Sequence, residues 1–138
     1  MTSRLEIVPP QFIYHVWDRV EPYLSKGLAR AGGEYNTDQL KVFLVQGEQT
    51  LCIFIDDENT IHGALTVKFI NYPNNRIAYV VALGGKAIAE RYLWDQFETW
   101  MKSQGATKLR GAAFESVARL WRKQFGVETR YLVVEKDL

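Results

Sequence analysis

The chain has a single cysteine, Cys52, so no internal disulfide is possible, which fits a reducing compartment. Cys52 sits in an apolar run and reads as a small buried hydrophobe, not as a nucleophile or ligand. Neither sign of charge dominates: 17 Lys and Arg stand against 16 Asp and Glu, for a net +1. That balance selects neither nucleic acid nor a membrane surface as partner. No apolar run approaches ~18 residues, so no transmembrane helix is expected. The first residues lack the apolar core of a signal peptide, and the expected location is cytoplasmic. The two histidines, His15 and His62, are far apart with no cysteine pattern nearby, so no metal site is expected. Asp56-Asp57-Glu58 lacks the spaced ligands of a calcium loop and reads as a solvated turn. Without a G-x-S-x-G elbow, Ser25, Ser103 and Ser116 have no case as nucleophiles. There are no repeats, low-complexity tracts or linkers.

What is present describes one folded domain spanning 1–138. Hydrophobic residues make up 47% of the chain and aromatics 13%, enough for a real core. The most informative stretch is Tyr79-Val80-Val81-Ala82-Leu83-Gly84-Gly85-Lys86-Ala87-Ile88. A β-branched run meets two glycines, and an amphipathic helix is expected directly after. A strand, a glycine turn and a helix N-terminus together make an anion site, because unpaired N–H groups and the helix dipole both favour negative charge. The same residues also make an ordinary strand-to-helix turn. Leu83, Gly84, Gly85, Lys86 and Ala87 are the candidate phosphate-binding residues.

Around this stretch the pattern predicts helices, then a meander, then alternation. Leu5 to Val8 reads as a short strand ended by Pro9-Pro10. Phe12, Ile13, Val16, Trp17 and Val20 predict a helix over 11–20, with Pro22 opening a second one to about Ala29. Thr37 is placed to cap a third helix whose inner face is Leu40, Phe43 and Leu44. Strands are expected at Leu51–Ile55, Ile61–Tyr72 and Ile77–Leu83, joined by the turns Asp56–Asn59 and Pro73–Asn75. A helix over Ala87–Gln104, a strand at Lys108–Phe114, a helix at Ser116–Phe125 and a last strand at Glu128–Val134 complete the pattern. The fold class is α/β (α+β): a mixed sheet with an antiparallel meander, a glycine loop and flanking helices.

This order resembles the GNAT superfamily of N-acetyltransferases over nearly the whole chain. Ile61-His62-Gly63-Ala64-Leu65 looks like the hydrophobic-Gly opening of that family's third strand. The family's pyrophosphate loop, Q/R-x-x-G-x-G/A, is matched by Ala82-Leu83-Gly84-Gly85-Lys86-Ala87 at Gly85 and Ala87, with alanine in the first place. A second family pattern (Asn, Ala, an apolar residue, Tyr, Gly) reads here Glu115, Ala118, Trp121, Arg122 and Gly126, so Ala118 and Gly126 match. The resemblance implies acetyl-CoA or coenzyme A as cofactor, with the acceptor amine entering between the N-terminal helices and the central strands.

The departures bear on catalysis. The strand 76–82 has no carboxylate where the family often carries a general base. Arg122 stands at the usual tyrosine that protonates the leaving thiolate. A guanidinium stays charged at neutral pH, so it is no general acid, although it can stabilise a thiolate electrostatically. The catalytic residues are therefore unknown. Arg119, Arg122 and Lys123 share a helix face and are a candidate protein-partner surface as well as an ordinary solvated one. Two function classes remain. One is an acyl-CoA-dependent N-acyltransferase with degenerate catalytic residues. The other is a non-catalytic protein similar to the small GNAT-like proteins of tailed phages, acting in a virion or its assembly, in which case its place is the host cytoplasm or the particle.

Overall fold

The structure, a computed structural model, describes residues 3–29, 32–85 and 90–138. Five strands form one sheet in sequence order: β1 (Ser3–Val8), β2 (Thr50–Asp56), β3 (Ile61–Asn71), β4 (Arg76–Gly85) and β5 (Lys108–Gly111). Neighbours are antiparallel except β4 and β5, which are parallel. A parallel pair needs a crossover, and α3 (Arg91–Ser103) supplies it. The mixed sheet with an antiparallel meander is thus the architecture anticipated from the pattern. Lys86 and Ala87, two of the candidate phosphate-binding residues, lie outside the described residues.

Period-2 alternation divides the core between the two faces of the sheet. Leu51, Ile53 and Ile55 of β2 join Ile13, Trp17, Val20 and Leu24 of α1 (Ile13–Leu28) and Leu40 and Leu44 of α2 (Thr37–Val45). Cys52 and Phe54 point the other way, to Leu93, Trp94, Phe97 and Met101 of α3 and Phe125 of α4 (Glu115–Phe125). Phe125 stacks on Trp94 at 4.2 Å, and both rings are buried. Cys52 is fully buried and its thiol is pushed far up by desolvation, which leaves it inert.

Four expectations about the elements need correction. The two helices expected over 11–20 and from Pro22 are a single one, α1 (Ile13–Leu28), with Pro22 inside it. An interior proline costs about 3 kcal/mol. Val20 and Leu24, buried on either side of it, outweigh that loss. The cap of α2 is Asn36, not Thr37: Asn36 Oδ1 accepts from Gln39 N at 2.8 Å, and Gln39 Oε1 accepts from Asn36 N at 3.0 Å. The strand expected at Glu128–Val134 does not form, and residues 126–138 carry no regular structure. Its β-branched sequence finds no ladder and no packed face, and β propensity needs both. Tyr131 to Val134 are between 60% and 87% exposed. The strand at Lys108 is also shorter than expected, ending at Gly111 and not at Phe114.

The outer edge of β1 is closed by α3. Gln96 Oε1 accepts from Leu5 N at 2.8 Å, and the Tyr92 hydroxyl accepts from Ser3 N at 3.1 Å. These contacts satisfy N–H groups that would otherwise offer a template for another strand.

Candidate functional site

The site begins with a backbone irregularity in β4. Val67 pairs with Val80 and Thr66 with Ala82, so Val81 is an extra residue, a β-bulge. The parallel partner stops at the same level. Ile77 to Val80 pair with Lys108 to Gly111, and β5 then ends. Among the described residues, Ala82 to Gly85 pair with β3 alone and Val81 has no partner in either neighbouring strand. A bulge bends its strand and re-aims the residues beyond it. Here it leaves the second half of β4 with one open edge, facing the end of β5.

Gly84 and Gly85 do not break the strand, as the sequence led us to expect. They pair with Ala64 and Gly63 and extend β4 to Gly85. Their role is close approach. A Cβ on Gly84 would lie 2.0 Å from the carbonyl oxygen of Tyr23, so α1 packs backbone to backbone on this half-strand. Gly85, at φ +107, would bring a Cβ within 2.5 Å of Gly63 Cα and His62 O. A strand's N–H groups alternate between its two edges, so only part of Leu83–Gly85 is free to meet a ligand.

Beside this half-strand is a tight polar turn. Asp56, with a buried side chain at the end of β2, accepts from Glu58 N at 2.8 Å and Thr60 N at 3.0 Å. Its other oxygen is 2.7 Å from His62 Nε2. The His62 hydrogen bond leads in holding the Asp56 carboxyl below its ordinary value, with the Thr60 amide next. His62 thus precedes Gly63, the partner of Gly85, and is fixed by an aspartate the sequence read as a solvated turn residue. His15 is exposed, with its ring 5.7 Å from that of Phe12 and tilted 45° to it.

On the α1 side of the sheet, a row of side chains crosses three strands just before the bulge. Lys68 of β3 pairs with Tyr79 of β4, which pairs with Arg110 of β5. Lys68 Nζ is 5.6 Å from the Tyr79 ring, and the Arg110 guanidinium is 5.7 Å from the ring of Tyr131. Burial, foremost, raises the Tyr79 phenol above its ordinary value, and the charge of Glu34 adds to it, followed by Tyr131 and Tyr35, while Arg110 opposes. The phenol is therefore protonated at neutral pH, a donor and not a base.

Arg122 is tied down within the fold. Its guanidinium pairs with Glu115 and donates to Thr129 Oγ1 at 2.8 Å, joining α4 to the chain beyond it. Arg119 and Lys123 are exposed on the same helix. Among the described residues no three His, Cys, Asp or Glu converge as a metal site. Among the same residues no helix is long and apolar enough to cross a membrane.

No protein-family model matches the sequence, and no curated protein matches it. Solved structures do match the fold. A ribosomal-protein-alanine N-acetyltransferase from Brucella melitensis biovar Abortus 2308 superposes with a TM-score of 0.71 at 13% identity, over 99% of each chain. An aminoglycoside acetyltransferase from an uncultured soil metagenomic sample gives 0.71 at 12% identity, over 99% of this chain and 96% of that one. A predicted acetyltransferase with acetyl-CoA from Clostridium acetobutylicum gives 0.67 at 12% identity, over 99% and 96%. The chain has the GNAT fold. At such identities the likeness concerns the fold, and function has to be argued from the site.

Proposed function

We propose that the protein is an acyl-CoA-dependent N-acyltransferase whose open half of β4 receives the cofactor. The observation that carries this reading is the bulge at Val81 coinciding with the end of β5. Among the described residues it leaves a strand edge with no partner strand, and a ligand bearing amides along an extended chain can add to such an edge as a strand does. Coenzyme A has such a chain in its pantetheine arm. Val81 to Gly85 would hold it. The donor supplies an acyl group activated as a thioester. Solved acetyltransferases of this fold, one of them described with acetyl-CoA, support the reading. The virion alternative draws no support from these neighbours.

The chain's own part is binding and positioning. An acceptor nitrogen would form the new C–N bond as the C–S bond breaks, with the amine losing one proton and the departing sulfur gaining one. No carboxylate lies on β4 to take that proton, and Arg122 is committed to Glu115 and Thr129. Proton transfer by a positioned side chain is worth about 10²–10⁴-fold, so a slow enzyme is expected. The test is thiol release from acetyl-CoA in a panel of primary amines. Low amine-dependent release above hydrolysis supports the proposal; release that no amine changes contradicts it. Fast transfer lost in Arg122→Gln would instead put the guanidinium at the chemistry.

A further inference from the structure

We propose that the open face of the sheet beside β4 binds an acceptor amine that also carries an anionic group, a carboxylate or a phosphate, with Lys68 and Arg110 taking the anion. This rests on the acyl-transfer reading and narrows its acceptor. The geometry starts from the register. Lys68, Tyr79 and Arg110 are direct partners across β3, β4 and β5, so their side chains leave the same face. Two strand spacings put the cations about 10 Å apart at their roots, with the Tyr79 ring between them. That span suits one small molecule.

Each side chain in the row is partly accessible, and among the described residues no carboxylate pairs with Lys68 or Arg110. Both cations rest against aromatic rings, Lys68 on Tyr79 and Arg110 on Tyr131. Stacking on a ring fixes a guanidinium while leaving its N–H edges for an anion. The Tyr79 hydroxyl adds a protonated donor. The row sits next to the bulge that opens the candidate acyl-CoA edge, since Val80 is the last residue of β4 paired to β5. The loop before α2 borders the same face: Tyr35 packs against Phe43 at 5.6 Å and against the core on the α1 side of the sheet. Two cations with a phenol between them suit an amine joined to an anion better than a plain amine, which would meet like charge from both ends of the row.

The experiment compares matched ligands by saturation-transfer NMR and by thiol release. The probes are free L-amino acids against their amides, and O-phosphoethanolamine against ethanolamine. The expected result is tighter binding of the anion-bearing member of a pair by at least about tenfold, the scale of a charged hydrogen-bonded contact. The carboxylate and phosphate arms decide which anion is the better fit. Lys68→Gln should erase most of that preference and Lys68→Arg should keep it. Equal binding within the pairs, or a preference that survives Lys68→Gln, overturns the proposal. Calorimetry with coenzyme A is run separately on the same samples. Coenzyme A binding without the anion preference sinks this inference alone, whereas loss of coenzyme A binding in the unmodified protein sinks the acyl-transfer reading.

Discussion

The two halves of β4 have the same neighbours in sequence but different neighbours in space. Arg76 to Val80 lie between β3 and β5, with Ala78 and Val80 packed over the α3 cluster. Val81 to Gly85 have β3 on one side, no strand among the described residues on the other, and the α1 backbone pressed on one face. One extra residue separates the two states. The first half is built for stability, and its partner strand satisfies its edge. The second half gives up a row of hydrogen bonds and is held instead by helix-to-strand backbone contact. A strand that ends its pairing inside the molecule exposes peptide groups at a fixed position, and exposed fixed peptide groups are what an extended ligand needs.

The largest effect should come from crowding the open half. Gly84→Val would drive a branched side chain into the Tyr23 carbonyl of α1, where backbone has no room to give. Overpacking typically costs about 1–3 kcal/mol, and this contact belongs beyond that range; circular dichroism melts should show a chain that no longer folds cooperatively. In the paired half, Phe97→Ala removes a fully buried ring from beneath β4. Its expected cost is about 3–5 kcal/mol, read from denaturant unfolding, with acyl-CoA binding retained under conditions where the variant is folded. If the two substitutions cost the same, the contrast between backbone and side-chain packing is wrong.

A pH experiment probes the turn that anchors the partner of the open half. In the folded protein the His62 hydrogen bond, with the Thr60 amide next, holds the Asp56 carboxyl below the usual aspartate value. Such a group stabilises the fold above its unfolded pKa, and the contribution is lost as pH falls through the folded value. Stability should therefore drop as pH descends below about 4, and part of that drop should be missing in Asp56→Asn. Equal acid sensitivity in both proteins would remove Asp56 from the account. The smallest effect is expected at the surface: Arg119→Glu with Lys123→Glu should leave melting temperature nearly unchanged, since both side chains are exposed. Loss of a protein partner in that variant would give this face the interaction role its charge permits.

The mixed sheet and its antiparallel meander were legible in the sequence, because periodicity and turn residues are local signals. Leu83, Gly84 and Gly85 lie in the paired end of β4, not in the turn first read there. What escaped was set by pairing between distant segments. Nothing in Val80-Val81-Ala82 marks Val81 as the bulge, since valine fits a regular strand equally well. The Lys68, Tyr79 and Arg110 row needs a register that spans three strands. Pro22 in α1 shows burial overriding local propensity. The unpaired Tyr131–Val134 shows the reverse, a strong strand sequence without a partner to hold it.

Deleting Val81 tests the central claim most directly. The deletion would let Val80 and Ala82 alternate regularly, with every other residue of β4 keeping its face and its β3 partner. The fold should survive with a modest loss of melting temperature, while the open edge straightens toward β5. Calorimetric titration with acetyl-CoA should show binding to the unmodified protein and at least about a tenfold weaker affinity after the deletion, the scale of two lost hydrogen bonds. No heat from the unmodified protein at millimolar acetyl-CoA, or equal affinity in the two proteins, would contradict the account.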